Sequence, residues 1–412
     1  MDMSPEFNLD EARRYWRHAP AGSGKVDTDA LVAAGETSAD VWDAAFRSRL
    51  LAYPEEEQFL RTFAAGVRGL RLVSIGSGLG FHELFYAAHG ARVTCCDIVA
   101  TNLAAIERAA ARRRLTVDTF CRPDLTTQAL PGPADVVFVY GCLMHMPPDA
   151  QRALFARVRA ALAPGGRVVL MVYAWEFAHR LCGWTDPAAF DPVAFARASD
   201  PTVGDEACPW SDWHDDRKLL ALAGDGSRVT RRQAWNDEQF VWYELSESPA
   251  AGEPPPFFEQ TALADGDLRL RLRPRDFTAE DATLERRWRR VTVHAAPSRS
   301  SYVLASRVLD APARANAVAI DVAVEQGASS AGILDVDAQR FVSVATRSTR
   351  GRHAALLLAD PLPRRFQIVL SNHQPKAPAP GVFVVYGARV LARPIATLAD
   401  GDPQSAIRNP QS

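Results

Sequence analysis

Long apolar runs are missing from this chain: no stretch reaches the roughly 18 to 20 uninterrupted apolar residues that a membrane-spanning helix needs. A basic and then greasy leader is missing too. The N-terminal MDMSPEFNLDEARRYW is acidic and polar, which predicts a cytoplasmic location. Excess charge of either sign is lacking, at a formal net charge of -2, so no global field is expected to gather nucleic acid or an anionic membrane. Cysteine is sparse: Cys95, Cys96, Cys121, Cys142, Cys182 and Cys208 make no CxxC pair and no zinc-like spacing with histidine. Reduced, mostly buried thiols are the expectation. No internal repeat is found.

What is present is enough for real cores. A chain of 412 residues with 47% apolar composition allows two or three domains. Residues 8 to 66 read as helical. SADVWDAAFRSRLL starts on a plausible cap at Ser38, and YPEEEQFLRTFAAG has Pro54 in a first turn, three glutamates at the positive end and Gly66 as a stop. Apolar, β-branched runs then recur at 71–75, 91–97, 116–122, 134–140 and 166–173, with helical stretches at 81–88, 100–113 and 149–163. That alternation predicts an α/β fold, a doubly wound Rossmann-like sheet with helices on both faces. LAPGG is expected to close the last of these helices with a turn. After a long insert, SRVTRRQAWNDEQFVWYEL reads as a hairpin turning at Asn236-Asp237, giving about seven strands with an antiparallel last one.

Beyond residue 246 the texture changes. SESPAAGEPPPFF reads as a Pro-rich linker, and many short strands with almost no helical period follow, which predicts an all-β sandwich or jelly roll. The expected domains are a helical cap over 1–66, an α/β domain over 67–246, a linker over 247–262, a sandwich over 263–399 and a disordered tail over 400–412.

The stretch RLVSIGSGLGF sets Gly76, Gly78 and Gly80 at alternate positions directly after a strand. A glycine-rich turn opening a helix aims backbone N–H groups and the helix dipole at a ligand. Ser77 belongs to the same turn. Asp97 ends the second strand, 21 residues after Gly76, where a carboxylate can accept both hydroxyls of a ribose; Ile98 follows it. Asp124, with Leu125 next to it, lies just past the third strand, placed to accept from an adenine amine. The fourth strand runs out through Tyr140 and Gly141 into CLMHMPP. These are carboxyl ends of parallel strands, where open α/β sheets bind ligands.

These motifs resemble those of class I S-adenosylmethionine-dependent methyltransferases. VSIGSGLG is similar to that family's glycine-rich motif I, Asp97 to its ribose-binding acid and PDL to its adenine-side motif. VYGCLMHMPP looks like the GVLHHxP segment after strand four, LAPGGRVVLMVY like the LKPGG turn into strand five, and the 228–245 hairpin like the reversed seventh strand. The upstream YWRHAPAGSG resembles a W…P…G entry found where an N-terminal segment covers the cofactor. Two departures stand out: Ser74 occupies a position often acidic in the family, and Ser77 one often cysteine or alanine. The resemblance implies S-adenosyl-L-methionine as cofactor and methyl transfer to a small-molecule acceptor, a biosynthetic intermediate, glycosylated or amino-acid-like.

Methyl transfer from a sulfonium needs chiefly alignment and exclusion of water, and a base only where the acceptor keeps its proton. His145 follows strand four and titrates near neutrality, so it is a candidate base, with packing or cofactor contact as the alternative. Tyr173, ending strand five, orients an acceptor or lies at the edge of the core. His82 reads as a cap or an exposed side chain. In ACPWSDWHDD, Trp210, Asp212, Trp213 and His214 offer aromatic faces and carboxylates for a cationic or polyhydroxylated acceptor; the other reading is a helix cap with packed tryptophans. No second histidine sits at ligand spacing, so no metal is expected. In the second domain LRLRLRPR presents arginines on one strand face, either for an anion or simply solvated. That domain is read as steering an acceptor or forming a homodimer. A nicotinamide-dependent oxidoreductase and a non-catalytic binding protein remain the competing functional readings.

Overall fold

A computed structural model describes residues 7–20, 33, 40–122, 124–200, 202, 205–247, 257, 266–280, 282–298, 300–347, 350–373, 379–393, 395 and 396. Ser38, most of the 247–262 linker and the whole 400–412 tail lie outside the described residues. The chain divides into two units: Met1–Arg47 with Phe59–Phe257 and Ala396–Ser412, and Ser48–Gln58 with Phe258–Ile395.

The first unit begins with α1 (Leu9–His18), capped by the Asn8 side chain on the Asp10 and Glu11 amides, with acids in its first turn and bases in its last, as the helix dipole favours. Then come α2 (Asp40–Ala52) and α3 (Pro54–Val67). So the chain enters the sheet through three described helices rather than the two expected, and α3 runs through Gly66 to Val67. The α/β part follows the expected alternation: β1 (Arg71–Ile75), α4 (Phe81–Ala88), β2 (Arg92–Asp97), α5 (Ala100–Arg112), β3 (Val117–Cys121), β4 (Ala134–Tyr140), α6 (Pro148–Ala161) and β5 (Leu162–Ala174). The insert holds α7 (Trp175–Cys182), α8 (Pro192–Ser199), β6 (Trp213–His214) and α9 (Asp216–Ala223), and the hairpin β7 (Arg228–Trp235) and β8 (Phe240–Ser246) closes the unit.

The strands order as β3-β2-β1-β4-β5-β8-β7, with β6 beside β5. β1 to β5 run parallel and β8 antiparallel to β5. Central β4 is almost continuously buried while edge β3 is half-buried or exposed throughout, as burial on two faces or one dictates. The order reverses between β1 and β4, the switch point at which such sheets open a crevice. LAPGG does not simply turn. β5 pairs from Leu162, and its register jumps between Ala134 and Val136 around Gly165, whose φ is 75°. Gly166 has no room for a side chain there, since a Cβ would lie 2.9 Å from the Ala163 carbonyl and 3.0 Å from that of Ala134.

Aromatic packing holds α3 on the sheet. Phe59 stacks on Trp242 of β8 with centroids 3.6 Å apart, and Phe63 packs on Phe138 of β4 at 5.5 Å.

The second unit is all-β apart from Ser48–Gln58, where Glu57 forms a buried pair with Arg393 at 2.8 Å. Its strands are β9 (Asp267–Leu272), β10 (Phe277–Ala279), β11 (Ala282–Arg287), β12 (Arg290–Ser298), β13 (Ser300–Ser306), β14 (Leu309–Asp310), β15 (Ala317–Gln326), β16 (Ser329–Asp335), β17 (Arg340–Arg347), β18 (Gly351–Leu358), β19 (Arg365–His373) and β20 (Ala379–Ala392). They form two six-stranded sheets, β10-β13-β19-β16-β17 with β14, and β11-β12-β20-β15-β18 with β9. Val291, Ile320, Val322 and Val385 of one sheet share a single core with Leu304, Ile333, Ile368 and Leu370 of the other, which makes the unit a sandwich.

Replacing Phe59 by alanine removes the ring stacked on Trp242. A loss of about 3 to 5 kcal/mol is expected, read as a lower denaturant midpoint at unchanged slope.

Candidate active site

The glycine turn is built by backbone conformations that side chains resist: φ is 70°, 52° and 70° at Gly76, Gly78 and Gly80. Each position is also crowded. A Cβ at Gly76 would lie 2.6 Å from that of Cys142, past β4; one at Gly80 would meet the Ile106 side chain at 2.7 Å; one at Gly78 would collide with the Pro20 carbonyl. The bare backbone therefore lets β1 and β4 exits, α5 and the N-terminal segment all converge on the switch point.

Asp97 locks that arrangement. Its Oδ2 accepts from the Gly78 amide at 2.9 Å and its Oδ1 from the Val99 amide at 2.8 Å, joining the turn after β1 to the turn after β2. The Arg122 amide donates to the Asp97 carbonyl at 3.1 Å and holds the β3 exit alongside. Burial pushes the Asp97 carboxyl up to about 6, against the pull of the two amides, and the nearby Glu83 adds to the rise. Asp97 in turn, after burial itself, helps push the Cys142 thiol up to about 12.

The other expected cofactor residues line the same edge. Ser77 is buried, with its hydroxyl 3.4 Å from the Ser74 carbonyl. Ile98 is half-buried and Leu125 buried. The Asp124 carboxylate accepts from the amide and hydroxyl of Thr126 at 2.8 and 2.6 Å. Burial raises its pKa, but bonds from Thr126 and Thr127 outweigh that and bring it below the usual value. Gly141 has φ 62° and donates to the Met171 carbonyl at 3.3 Å. Half-buried Tyr140 meets the His82 ring at 4.2 Å, so His82 is buried against the sheet rather than exposed.

Ser74, the departure from the family pattern, donates to Glu83 Oε1 at 2.5 Å. Glu83 is buried, lies in the first turn of α4, and its charge is felt at Cys95, whose thiol burial and Glu83 together push up. A carboxylate thus stands beside the end of β1 after all.

A second cluster surrounds His145, which ends a 3₁₀ turn over Leu143–His145. Its Nδ1 lies 3.0 Å from the Trp210 carbonyl; a carbonyl only accepts, so Nδ1 carries the proton and Nε2 the lone pair. Ser211 Oγ is 3.1 Å from the same nitrogen and donates to Asp200 Oδ2 at 2.8 Å. The Tyr173 hydroxyl donates to Asp200 at 3.2 Å, and its ring meets that of His145 edge-on with centroids 6.1 Å apart. Cys208 Sγ is 3.6 Å from His145 Nδ1. His145, Asp200 and Cys208 place donor atoms within 4.8 Å of one another, and the Ser211 hydroxyl sits among them, closing the group by hydrogen bonds. Burial holds the His145 pKa below the ordinary imidazole value, against the Asp200 charge and the Trp210 bond. Burial likewise raises Tyr173 and Cys208, so both stay protonated. Helix α1 roofs the cluster: the Trp16 ring lies 4.6 Å from that of His145, and buried Tyr15 packs with Cys208. His145 and Tyr173 are separate candidates in the sequence and meet here; Asp200, Ser211 and Cys208 join them only through the fold, since their contacts span 63 to 66 residues to His145 and 27 to Tyr173.

The four insert residues divide. Asp212 is buried, paired with Lys218 at 2.5 Å and accepting from Gln151 at 3.2 Å; burial raises its pKa against Lys218. His214 Nε2 is 2.8 Å from Gln151 Oε1, and burial holds the ring neutral. Lys218 lies over the Trp213 ring at 4.3 Å, while Asp215 caps α9 through the Lys218 amide. Trp210 and Trp213 are buried, and among the described residues neither indole N–H has a partner.

A glycine turn at a switch point, clamped by a buried acid at the end of β2, is the place at which open α/β sheets bind ligands. Residues 72–166 match the methyltransferase domain family, so the chain carries a methyltransferase domain. No curated protein matches the chain. Similar solved structures include the PH0226 protein of Pyrococcus horikoshii OT3, 15% identical, covering 58% of this chain and 99% of that one at TM-score 0.42. Magnesium protoporphyrin IX methyltransferase of Synechocystis PCC 6803, solved with bound SAM, is 16% identical over 59% of this chain and 99% of its own at 0.38. A DhpI–SAH complex is 21% identical over 54% and 97% at 0.36.

Ribose hydroxyls donate best to an ionised Asp97, so binding favours its charged form. Affinity for S-adenosylhomocysteine is therefore expected to be full above about pH 6 and to fall as pH drops through it, measured by calorimetry across pH 5 to about 8. Asp97→Ala is expected to weaken binding about 10-fold or more at neutral pH.

Proposed function

We propose that residues 67–246 form the catalytic domain and transfer the methyl group to a small, oxygen-bearing acceptor held between His145, Tyr173, Trp210 and Trp213. The observation that carries this reading is the pair of buried indole N–H groups on Trp210 and Trp213, unpartnered among the described residues. A buried unmade hydrogen bond costs about 1 to 3 kcal/mol, and an acceptor's oxygen atoms would satisfy both donors.

The chain's residues fit the cofactor as follows. The Asp97 carboxylate spends lone pairs on the Gly78 and Val99 amides and on the Asn102 side chain, and keeps one for a ribose hydroxyl. Ser77, Gly78 and Gly141 offer bare or small-residue backbone beside it, Tyr140 a ring at the β4 exit, and Asp124 with Ile98 and Leu125 a flank for the base. Glu83, held by Ser74, would supply the negative charge that Ser74 does not to the ammonium end of the methionyl group. When bound, the cofactor supplies an activated methyl whose bond to sulfur breaks as the bond to the acceptor forms.

His145 takes the acceptor's proton on Nε2. Asp200 holds Ser211, and Ser211 with the Trp210 carbonyl fixes the imidazole tautomer, so the free lone pair is always on the same nitrogen. Burial keeps the ring neutral at physiological pH and ready to accept. Tyr173 orients the acceptor, and Asp212 and His214 brace the wall behind the tryptophans through Gln151 and Lys218.

A screen of cellular extract with labelled methyl donor, followed by mass identification of the product, tests the reading; heat on titrating NADH instead of S-adenosylhomocysteine would replace it with an oxidoreductase. His145→Ala should lower turnover by about 10²-fold or more while S-adenosylhomocysteine affinity stays near wild type, and the acid limb of the wild-type rate profile should lie below the usual imidazole value. Equal loss of turnover and affinity would make His145 structural. Glu83→Gln should weaken S-adenosylhomocysteine by about fivefold or more and leave 5′-methylthioadenosine, which lacks the amino-acid end, unchanged; a parallel loss of both ligands refutes the assignment.

A further inference from the structure

One hairpin of the sandwich breaks three local rules at a single place. β11 and β12 join through the two-residue turn Trp288-Arg289, with Arg287 directly opposite Arg290. Such turns favour Asn-Gly or Asp-Gly, and like charges facing each other across a strand pair destabilise it. Trp288 is also 93% exposed, far beyond any other large apolar side chain among the described residues. Where local choices oppose the fold together, function is the usual reason.

The tip is held rigidly. Arg286 Nη1 donates to the Pro274 carbonyl at 3.1 Å and Nη2 to the Phe277 carbonyl at 2.6 Å, so the hairpin is tied to the 3₁₀ turn over Pro274–Asp276. That turn brings exposed Arg273 and Arg275, the end of the LRLRLRPR stretch, beside the tip. Among the described residues none of Arg273, Arg275, Arg287, Arg289 and Arg290 forms an ion pair. A ring on a projecting turn, ringed by unpaired guanidinium groups, is complementary to an anionic surface with an apolar layer beneath it.

We propose that this tip adheres to the face of an anionic lipid bilayer, with Trp288 entering the boundary between headgroups and acyl chains and the surrounding arginines contacting lipid phosphates. A single exposed ring favours a bilayer over a nucleic acid: single strands are gripped in grooves that stack successive bases on several rings, whereas this hairpin turn offers one. Adhesion through a single tip is peripheral and reversible. The net charge of -2 does not oppose it, because the interaction is local, acting within a Debye length of about 8 Å. None of the chain's described helices is long and apolar enough to cross the bilayer.

Cosedimentation of the full chain with vesicles tests this. Vesicles of phosphatidylcholine with about one-third phosphatidylserine should pellet the protein at least roughly tenfold better than phosphatidylcholine alone, and added salt should release it. Trp288→Ala should lower binding about tenfold, and Arg287→Gln, Arg289→Gln or Arg290→Gln about fivefold each, with S-adenosylhomocysteine affinity unchanged in every variant. The proposal is overturned by equal pelleting with neutral vesicles or by undiminished binding of Trp288→Ala. It is equally overturned by displacement with soluble glycerophosphoserine at matched phosphate, which would indicate a free-phosphate site, or by single-stranded RNA competing the protein off the vesicles.

Discussion

Two amide hydrogen bonds to one buried carboxylate organise the catalytic half of this protein. Asp97 reaches from the end of β2 to the Gly78 amide after β1 and to the Val99 amide after its own strand. Taking a carboxylate out of water opposes this, which is why its pKa is raised. The amides offset that opposition and set three strand exits in register. The geometry of the switch point depends on those exits staying together, and the glycines matter because they let α5, Cys142 and Pro20 close in around the same point.

Around His145 the design is different. Asp200 collects hydroxyls from Tyr173, Ser199 and Ser211; it orients His145 through Ser211, and its charge works against the burial that lowers the imidazole's pKa. The residues around it are neutral by burial: imidazole pushed down, phenol and thiol pushed up.

The sheet was legible in the sequence because parallel strands buried on both faces leave unbroken β-branched runs, and the runs at 71–75 and 134–140 coincide with β1 and β4. In the sandwich, β11 is hard to see in the sequence: ATLERR is mostly exposed and polar, so neither alternation nor apolar character marks it. The LAPGG segment misled because a bulge and a turn use the same residues, and only the register with Ala134 tells them apart. Within the site, glycines, Asp97 and His145 announce themselves by position after a strand. Glu83 and Asp200 do not, since their partners Ser74, Tyr173 and Ser211 lie on other elements and the pairing exists only after folding.

Helix α1 is ten residues long, too short to persist alone in water, and is held by what it covers: Trp16 on His145, Tyr15 beside Cys208. Lifting it would hydrate the imidazole and return its proton affinity to that of a free side chain. Helix α1 therefore acts as a thermostat for acidity: how firmly it is seated sets the pH at which the His145 imidazole takes up a proton.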